Sequence, residues 1–233
     1  MYLETNEQVR HDIARIQQAF LTKVYGWMML GLLVTTLSAF LTLSNESILE
    51  FVFSSKISFY GLIIAQFGLV VFLSARIQQM SSGTAKFTFI LYSALTGLTL
   101  SSIFLLYTGD SIISVFAITS LTFGAMALYG YVTKRDLTGV GQFMMMGLFG
   151  VVIASVVNIF MNSDSLGWII SFISVIVFTG LTAYDVQKMK SMAFVMTEGN
   201  EVATKGAIIG ALSLYLDFIN LFLALLRLLG RRR

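Results

Sequence analysis

The sequence predicts an all-α integral membrane protein with seven transmembrane helices, and three observations support this fold class. The 233 residues are 57% hydrophobic and only 12% charged, whereas soluble domains average about a quarter charged. The mean hydropathy is +0.84. Seven apolar runs each approach the roughly 20 residues that an α-helix needs to cross the hydrocarbon core. These runs are continuous instead of alternating, which argues against a transmembrane β-barrel.

The seven runs are separated by short segments that carry charges and turn-forming residues. We expect the part of the chain from residue 24 to residue 233 to form one membrane domain without a soluble module. We also expect no cleavable signal peptide, because the chain begins with polar residues and its first apolar run is too long for a signal core. The predicted spans are residues 24–43, 58–75, 87–107, 111–131, 142–161, 167–184 and 206–229.

Residues 1–23 are predicted to form a separate, cytoplasmic N-terminal segment. Its spacing of apolar residues is typical of an amphipathic helix that lies at a membrane surface and continues into the first span. The segment is either a solvated lead-in to that span or a surface for a partner. The apolar residues that recur at steps of three and four are Val9, Ile13, Ile16, Phe20 and Val24.

The distribution of Lys and Arg predicts the orientation of the chain. Ten of the 15 basic residues lie in the N-terminal tail or in the loops after even-numbered spans, and the opposite loops carry only Lys56. Cytoplasmic loops are enriched in Lys and Arg, so the N-terminus is expected in the cytoplasm. The three arginines at 231–233 are an exception, because a complete seventh span would place them outside. We nevertheless favour seven complete spans.

Composition argues against several functional classes. The absence of cysteine excludes disulfides, thiolate nucleophiles and iron–sulfur clusters. The single histidine, His11 in the polar tail, argues against a histidine-based zinc site or a Ser-His-Asp triad. The net charge of +3 lies in tails and loops without a basic stripe, so no nucleic-acid partner is expected. We expect no organic cofactor.

Two aspartates lie in or beside apolar runs. Asp217 is in the middle of the last run, and Asp185 directly follows the sixth. A carboxylate inside a membrane segment costs about 2.5–3.5 kcal/mol on insertion scales, and such residues usually mark a proton, ion or substrate path. Asp185 and Asp217 are therefore the residues at which a proton, ion or substrate path is predicted.

If these two side chains face each other, they form a coupled pair. Two like charges at low dielectric cannot both ionise cheaply, so such a pair tends to share a proton. Its oxygens also suit a hard cation such as Ca²⁺. The alternative for Asp185 is an interfacial ion pair with Lys188 or Arg76. Arg76 ends the second span and is the candidate latch to Asp185, the alternative being an ordinary loop arginine.

The last run carries its small and polar residues on one face. Small residues permit close helix approach, and polar ones hydrogen-bond across interfaces. Ser213 and Asn220, with Thr182 from the sixth run, are the polar residues expected to support the aspartate pair. Helix packing alone explains the glycines as well, but it does not explain Asp217. The face comprises Gly206, Gly210, Ser213, Asp217, Asn220, Ala224 and Arg227.

Three segments resemble the Bax inhibitor-1 family, and its bacterial branch most closely. They are KVYGWMMLGLLVT at residues 23–35, TGLTAYDVQKMK at 179–190 and GALSLYLDFINLFLALLRLLG at 210–230. The resemblance implies a last helix wrapped by six others. It also implies a pH-sensitive calcium leak whose pH sensor is formed by Asp185 and Asp217. Residues 188–205 form a longer stretch than in compact members and are a candidate cytoplasmic amphipathic segment.

Two functional hypotheses follow. The first is a pH-sensitive, calcium-permeable leak channel in the bacterial inner membrane, with the lipid bilayer, Ca²⁺ and protons as partners. The alternative is a non-channel regulator that binds other membrane proteins, such as a membrane protease or stress-response machinery. A proton-coupled transporter ranks lower, since no internal repeat is visible. An intramembrane aspartyl protease ranks last because glycines do not flank Asp185 or Asp217, and no enzymatic activity is expected.

Overall fold

The structure, a computed structural model, describes residues 2–193 and 201–233, with side chains from His11 onward except that of Lys56. Over these ranges the chain forms eight α-helices, and its one backbone pairing of the β type joins Tyr107 to Arg232. The helices are α1 (Tyr2–Ser44), α2 (Glu46–Phe53), α3 (Lys56–Arg76), α4 (Ser82–Leu106), α5 (Gly109–Val132), α6 (Thr138–Met161), α7 (Asp164–Met192) and α8 (Glu201–Leu229).

Seven of these helices are long and apolar enough to cross a membrane, which confirms the predicted fold class. Only α2, with eight residues, is too short. The helices extend beyond the predicted apolar runs at most ends, because polar residues at the membrane surface continue a helix without interrupting its backbone hydrogen bonds. The observed spans are His11–Ser44, Ile57–Arg76, Ser82–Leu106, Gly109–Val132, Thr138–Met161, Asp164–Met192 and Glu201–Leu229.

Helix α1 joins the predicted N-terminal segment and the first span into one continuous helix. It runs unbroken from Tyr2 to Ser44, and the chain has no proline to interrupt it. Its buried face differs slightly from the predicted stripe: Ile16 is 41% exposed, whereas Gln17 is only 9% exposed. Tertiary packing, and not the apolar spacing alone, therefore decides which side of this helix is covered.

The short helix α2 was not predicted. Its start is capped by Asn45, whose side-chain oxygen accepts a hydrogen bond from the Ile48 N–H at 3.2 Å. Ser55 caps the next helix in the same way, accepting from the Ile57 N–H at 3.1 Å. Asn and Ser favour turns as well as helix starts, so composition alone could not separate a polar break from a capped helix.

The described residues divide into two compact units. The first comprises Met1–Ile103 with Lys190–Leu212, and the second comprises Phe104–Met189 with Ser213–Arg233. In the first unit α1 packs on α4 at Gly97, where a Cβ would strike the backbone carbonyl of Thr35. The Thr35 hydroxyl also donates to the Ser93 carbonyl at 2.9 Å. Small residues thus allow the two helices to approach closely.

The beginning of α8 is tied to the loop before α4 within the first unit. Glu201 Oε1 accepts a hydrogen bond from the Ser82 N–H at 2.8 Å and forms a 3.7 Å salt bridge with Lys205. Lys205 Nζ in turn donates to the Gln78 carbonyl at 3.4 Å. The amphipathic segment predicted for residues 188–205 lies partly outside the described residues, which omit 194–200.

In the second unit, α5 and α6 both pack on α7 through glycines. A Cβ on Gly130 of α5 would strike the Ala183 carbonyl, and one on Gly141 of α6 would strike the Tyr184 ring. Gly180 of α7 lies against Met144, whose Cγ would be 2.8 Å from an added Cβ. These contacts place both neighbouring helices directly against the part of α7 that leads to Asp185.

Candidate functional site

Asp217 lies in the middle of α8 and is deeply buried. Its side chain is 4% exposed, and its Oδ2 atom has no hydrogen-bond partner among the described residues. The next residue, Phe218, packs edge-on against the rings of Phe116 and Phe123 of α5, at 5.5 Å from each. The aromatic contacts fix the rotation of α8, so the Asp217 carboxylate stays inside the second unit.

Asp185 lies on α7, about two turns before its end at Met192, and is half-buried. It also belongs to the second unit, and its negative charge acts repulsively on Asp217. Lys188, one turn later, acts attractively on Asp185, and its Nζ lies 5.9 Å from the centre of the Tyr184 ring. The two predicted aspartates are thus within electrostatic range of each other, and the Lys188 cation is close to Asp185.

The side chain of Gln187 fixes the end of α7 to the loop between α5 and α6. Its Oε1 accepts from the Leu137 N–H at 2.8 Å, and its Nε2 donates to the Arg135 carbonyl at 2.8 Å. The same loop is ordered by Asp136, which accepts hydrogen bonds from the hydroxyl and backbone N–H of Thr138. These bonds lower the pKa of the Asp136 carboxyl below its usual range. Gln187 therefore holds α7 in place close to Asp185.

Sequence reasoning missed both Gln187 and Thr179. The Thr179 hydroxyl oxygen on α7 is buried and, like Asp217 Oδ2, has no hydrogen-bond partner among the described residues. The available signal was spacing, since Thr179, Thr182 and Asp185 follow each other at steps of three on one helix. For Gln187 the signal was its position two residues after Asp185.

The three residues predicted to support the pair make mostly local contacts. The Thr182 hydroxyl donates to the Phe178 carbonyl at 2.7 Å, and Asn220 Nδ2 donates to the Leu216 carbonyl at 2.8 Å. Both bonds return to the residue's own helix, which is how hydroxyl and amide groups are commonly satisfied in membrane helices. Ser213 is half-buried in α8. Their role in supporting the pair remains a prediction.

Arg76, the predicted latch, lies at the exposed end of α3 in the first unit. Its guanidinium donates to Gln79 Oε1 at 3.0 Å. The turn that follows α3 is closed by backbone hydrogen bonds from the Gln79 and Met80 N–H groups to the Arg76 carbonyl. A salt bridge to Asp185 stays a prediction.

The aspartate pair by itself makes a sparse metal site. No group of three or more His, Asp or Glu side chains capable of holding a metal occurs in the part of the chain that the structure describes. Two carboxylates supply at most four oxygens, whereas Ca²⁺ takes six to eight. The pair alone therefore supplies fewer oxygens than a bound Ca²⁺ ion takes.

Fold and site together define an α-helical membrane protein with seven candidate spans and an interacting aspartate pair in the last two. The sequence model of the family described as "Inhibitor of apoptosis-promoting Bax1" matches residues 17–233. The chain therefore belongs to the Bax inhibitor-1 family, which confirms the resemblance of its motifs.

Similar proteins occur in several bacteria. The "Inner membrane protein YbhL" of Escherichia coli (strain K12) is 52% identical over 217 residues, which cover 93% of each chain. An uncharacterized protein of Borreliella burgdorferi is 49% identical over 94% of each chain. One of Deinococcus radiodurans is 41% identical over 91% of this chain and 90% of its own. The likeness thus covers nearly the whole length of each protein.

Proposed function

We propose that the protein is a proton-regulated, calcium-permeable leak pathway whose sensor is the pair Asp185 and Asp217. The observation that carries the proposal is the Asp217 carboxylate, buried in a membrane helix with one oxygen unpartnered and a second carboxylate in range. The proposed function is non-enzymatic and needs no organic cofactor.

The physical reason is the cost of an isolated buried charge. An ionised carboxylate away from water is strongly destabilised unless a proton, a cation or hydrogen-bond donors compensate it. Asp217 has the repulsive charge of Asp185 close by and no donor to Oδ2 among the described residues. It therefore suits alternation between a protonated state and a state compensated by a passing cation. Protonation changes the charge of the pair and so biases closed and open arrangements.

Localisation and topology extend the proposal. The seven apolar spans and the likeness to a protein named an inner membrane protein support the bacterial inner membrane as the location. The Lys and Arg distribution supports a cytoplasmic N-terminus. Of the seven spans in the described structure, α8 has the largest buried share.

The test is calcium flux into dye-loaded liposomes between about pH 5 and pH 8, the range in which strongly perturbed carboxylates titrate. The expected result is a pH-dependent flux in the unmodified protein that Asp217→Asn or Asp185→Asn flattens. Asp164→Asn is the matched control, since this exposed aspartate at the start of α7 should leave the profile unchanged. Flux no greater than in empty liposomes, or an unchanged profile in both variants, would contradict the leak and favour the membrane-protein regulator.

A further inference from the structure

The arginine tail, defined as Arg231, Arg232 and Arg233, is fixed to the linker between α4 and α5. The Thr108 N–H donates to the Arg231 carbonyl at 3.1 Å, and the Arg233 N–H donates to the Leu106 carbonyl at 3.0 Å. The Arg231 N–H also donates to the Ser111 hydroxyl at 2.9 Å. These are backbone attachments, so the position of the tail does not depend on where its guanidinium groups point.

A glycine makes this attachment possible. Gly230 directly precedes the tail, and its N–H donates to the Leu226 carbonyl at 2.8 Å. A Cβ at this position would strike that carbonyl and lie 2.7 Å from the Tyr107 ring. The chain can therefore turn from α8 onto the linker only with a residue that lacks a side chain.

The guanidinium groups of the tail have no protein partner in the described ranges. All three arginines are exposed, and none of their side chains forms a hydrogen bond or ion pair there. Arg227, one turn earlier, is also exposed, and its guanidinium packs against Gly167 of α7. Each guanidinium presents five N–H donors and no acceptor, so this end of the second unit offers many unused donors.

Two aspartates lie at the starts of helices in the second unit without neutralising these arginines. Asp110 is in the first turn of α5 and Asp164 in the first turn of α7, and both are exposed. Neither forms an ion pair in the structure as described. Four cations facing two unpaired anions leave the region with an excess of positive charge.

Exposed apolar side chains lie next to these arginines. Leu106 is 57% exposed and directly precedes Tyr107, which pairs with Arg232. Leu229 is 56% exposed and lies two residues before Arg231. Trp168, next to Gly167, is 54% exposed and stacks on Phe172 at 5.7 Å. Tryptophan is enriched where membrane and water meet. In a bilayer, exposed leucines are expected to contact acyl chains, and arginines beside them to lie near the phosphate layer.

We propose that Arg227 and the arginine tail form a binding site for the phosphate groups of anionic phospholipids. Guanidinium matches phosphate in a bidentate geometry, and basic residues beside a membrane are attracted to anionic lipids. The site lies beside the start of α5, whereas Lys134 and Arg135 follow the other end of that helix. Binding of lipid phosphates would neutralise the arginine cluster, which lies at the opposite end of α5 from the basic loop with Lys134 and Arg135. The proposal does not depend on calcium conduction.

The test uses Trp168 as a local reporter. The chain has two tryptophans, so Trp27→Phe leaves Trp168 as the only one. The full chain is reconstituted in phosphatidylcholine containing increasing fractions of phosphatidylglycerol brominated in its acyl chains, and the quenching of Trp168 gives the relative affinity for the two lipids. We expect phosphatidylglycerol to be preferred by at least about fivefold, roughly the factor for one arginine at a membrane surface. Replacing Arg231, Arg232 and Arg233 together by Gln should reduce that preference several-fold.

Controls separate the site from general effects. Lys134→Gln with Arg135→Gln removes the same kind of charge at the other end of α5 and should leave the quenching unchanged. Arg227→Gln in an intact tail should reduce the preference even if the triple variant fails to fold. Equal affinity for the two lipids, or full preference in the triple and Arg227 variants alike, would overturn the proposal. Reversal of the preference by inorganic phosphate would overturn it too, since the site would then bind the free anion.

Discussion

At the scale of single residues, Asp217 combines burial with an incomplete set of hydrogen bonds. A buried polar group without a partner lowers the free energy of unfolding, because its interactions with water are lost and not replaced. Most polar side chains on neighbouring positions avoid this cost by bonding within their own helix, as Thr182 and Asn220 do. Asp217 Oδ2 does not. Among the described residues, only the Thr179 hydroxyl on α7 shares this lack of a partner.

Replacing Asp217 by Leu should make the protein more stable while abolishing the pH response proposed for its calcium flux. The apolar side chain removes a buried unpartnered group, so the free energy of unfolding should rise by about 1–3 kcal/mol. Thermal unfolding in detergent at neutral pH measures the change. The control is Asp164→Leu, at an exposed position where stability should hardly change. A less stable Asp217→Leu protein would mean that the carboxylate has a stabilising partner, and would weaken the sensor proposal.

At the scale of helices, close packing depends on a few glycines that face backbone. On α5, a Cβ at Gly130 would strike the Ala183 carbonyl of α7, whereas one at Gly124 would have no heavy atom within 4 Å. The two glycines are six residues apart on the same helix, and nothing in their local sequence distinguishes them. The difference arises only because α7 crosses α5 at Gly130.

The pair of glycines gives a matched test of helix packing. Gly130→Ala should destabilise the protein by about 1–3 kcal/mol, as overpacking typically does, because a backbone carbonyl cannot move aside easily. Gly124→Ala should be neutral or stabilising by up to about 1 kcal/mol, since alanine favours the helix. Thermal unfolding of both variants in the same detergent measures the difference. Equal stability of the two variants would show that α5 and α7 are further apart than described.

At the scale of the whole molecule, the paired tail determines where α8 ends. The backbone of Arg232 pairs with Tyr107, so the tail lies beside the linker that precedes α5. Three spans precede this linker and seven precede the tail. Because both numbers are odd, the linker and the tail lie on the same side of the membrane if every span crosses it. The pairing agrees with a complete seventh span, which charge counting alone argued against.

Cysteine labelling tests the proposed orientation. The chain has no cysteine, so each introduced thiol is the only target. With a cytoplasmic N-terminus, Lys56→Cys and Arg233→Cys should react with a membrane-impermeant maleimide when it reaches only the outer face of the inner membrane. Arg135→Cys, exposed in the opposite loop, should react only after the membrane is permeabilised. The reverse pattern would invert the topology, and labelling of Arg135→Cys with Arg233→Cys from one side would show that α8 does not cross.

The sequence by itself determined the membrane class and the number of candidate spans, because hydrophobic length is a property of local composition. It also singled out Asp185 and Asp217, because a carboxylate in or beside an apolar run is visible in the sequence. It also determined the family, through motifs around Asp185 and Asp217. Only the tertiary structure decided that these carboxylates interact, that Gln187 fixes the loop at Arg135 and Leu137, and that the arginine tail pairs with the linker before α5. Each of these contacts joins residues far apart in sequence, so no local pattern specifies it.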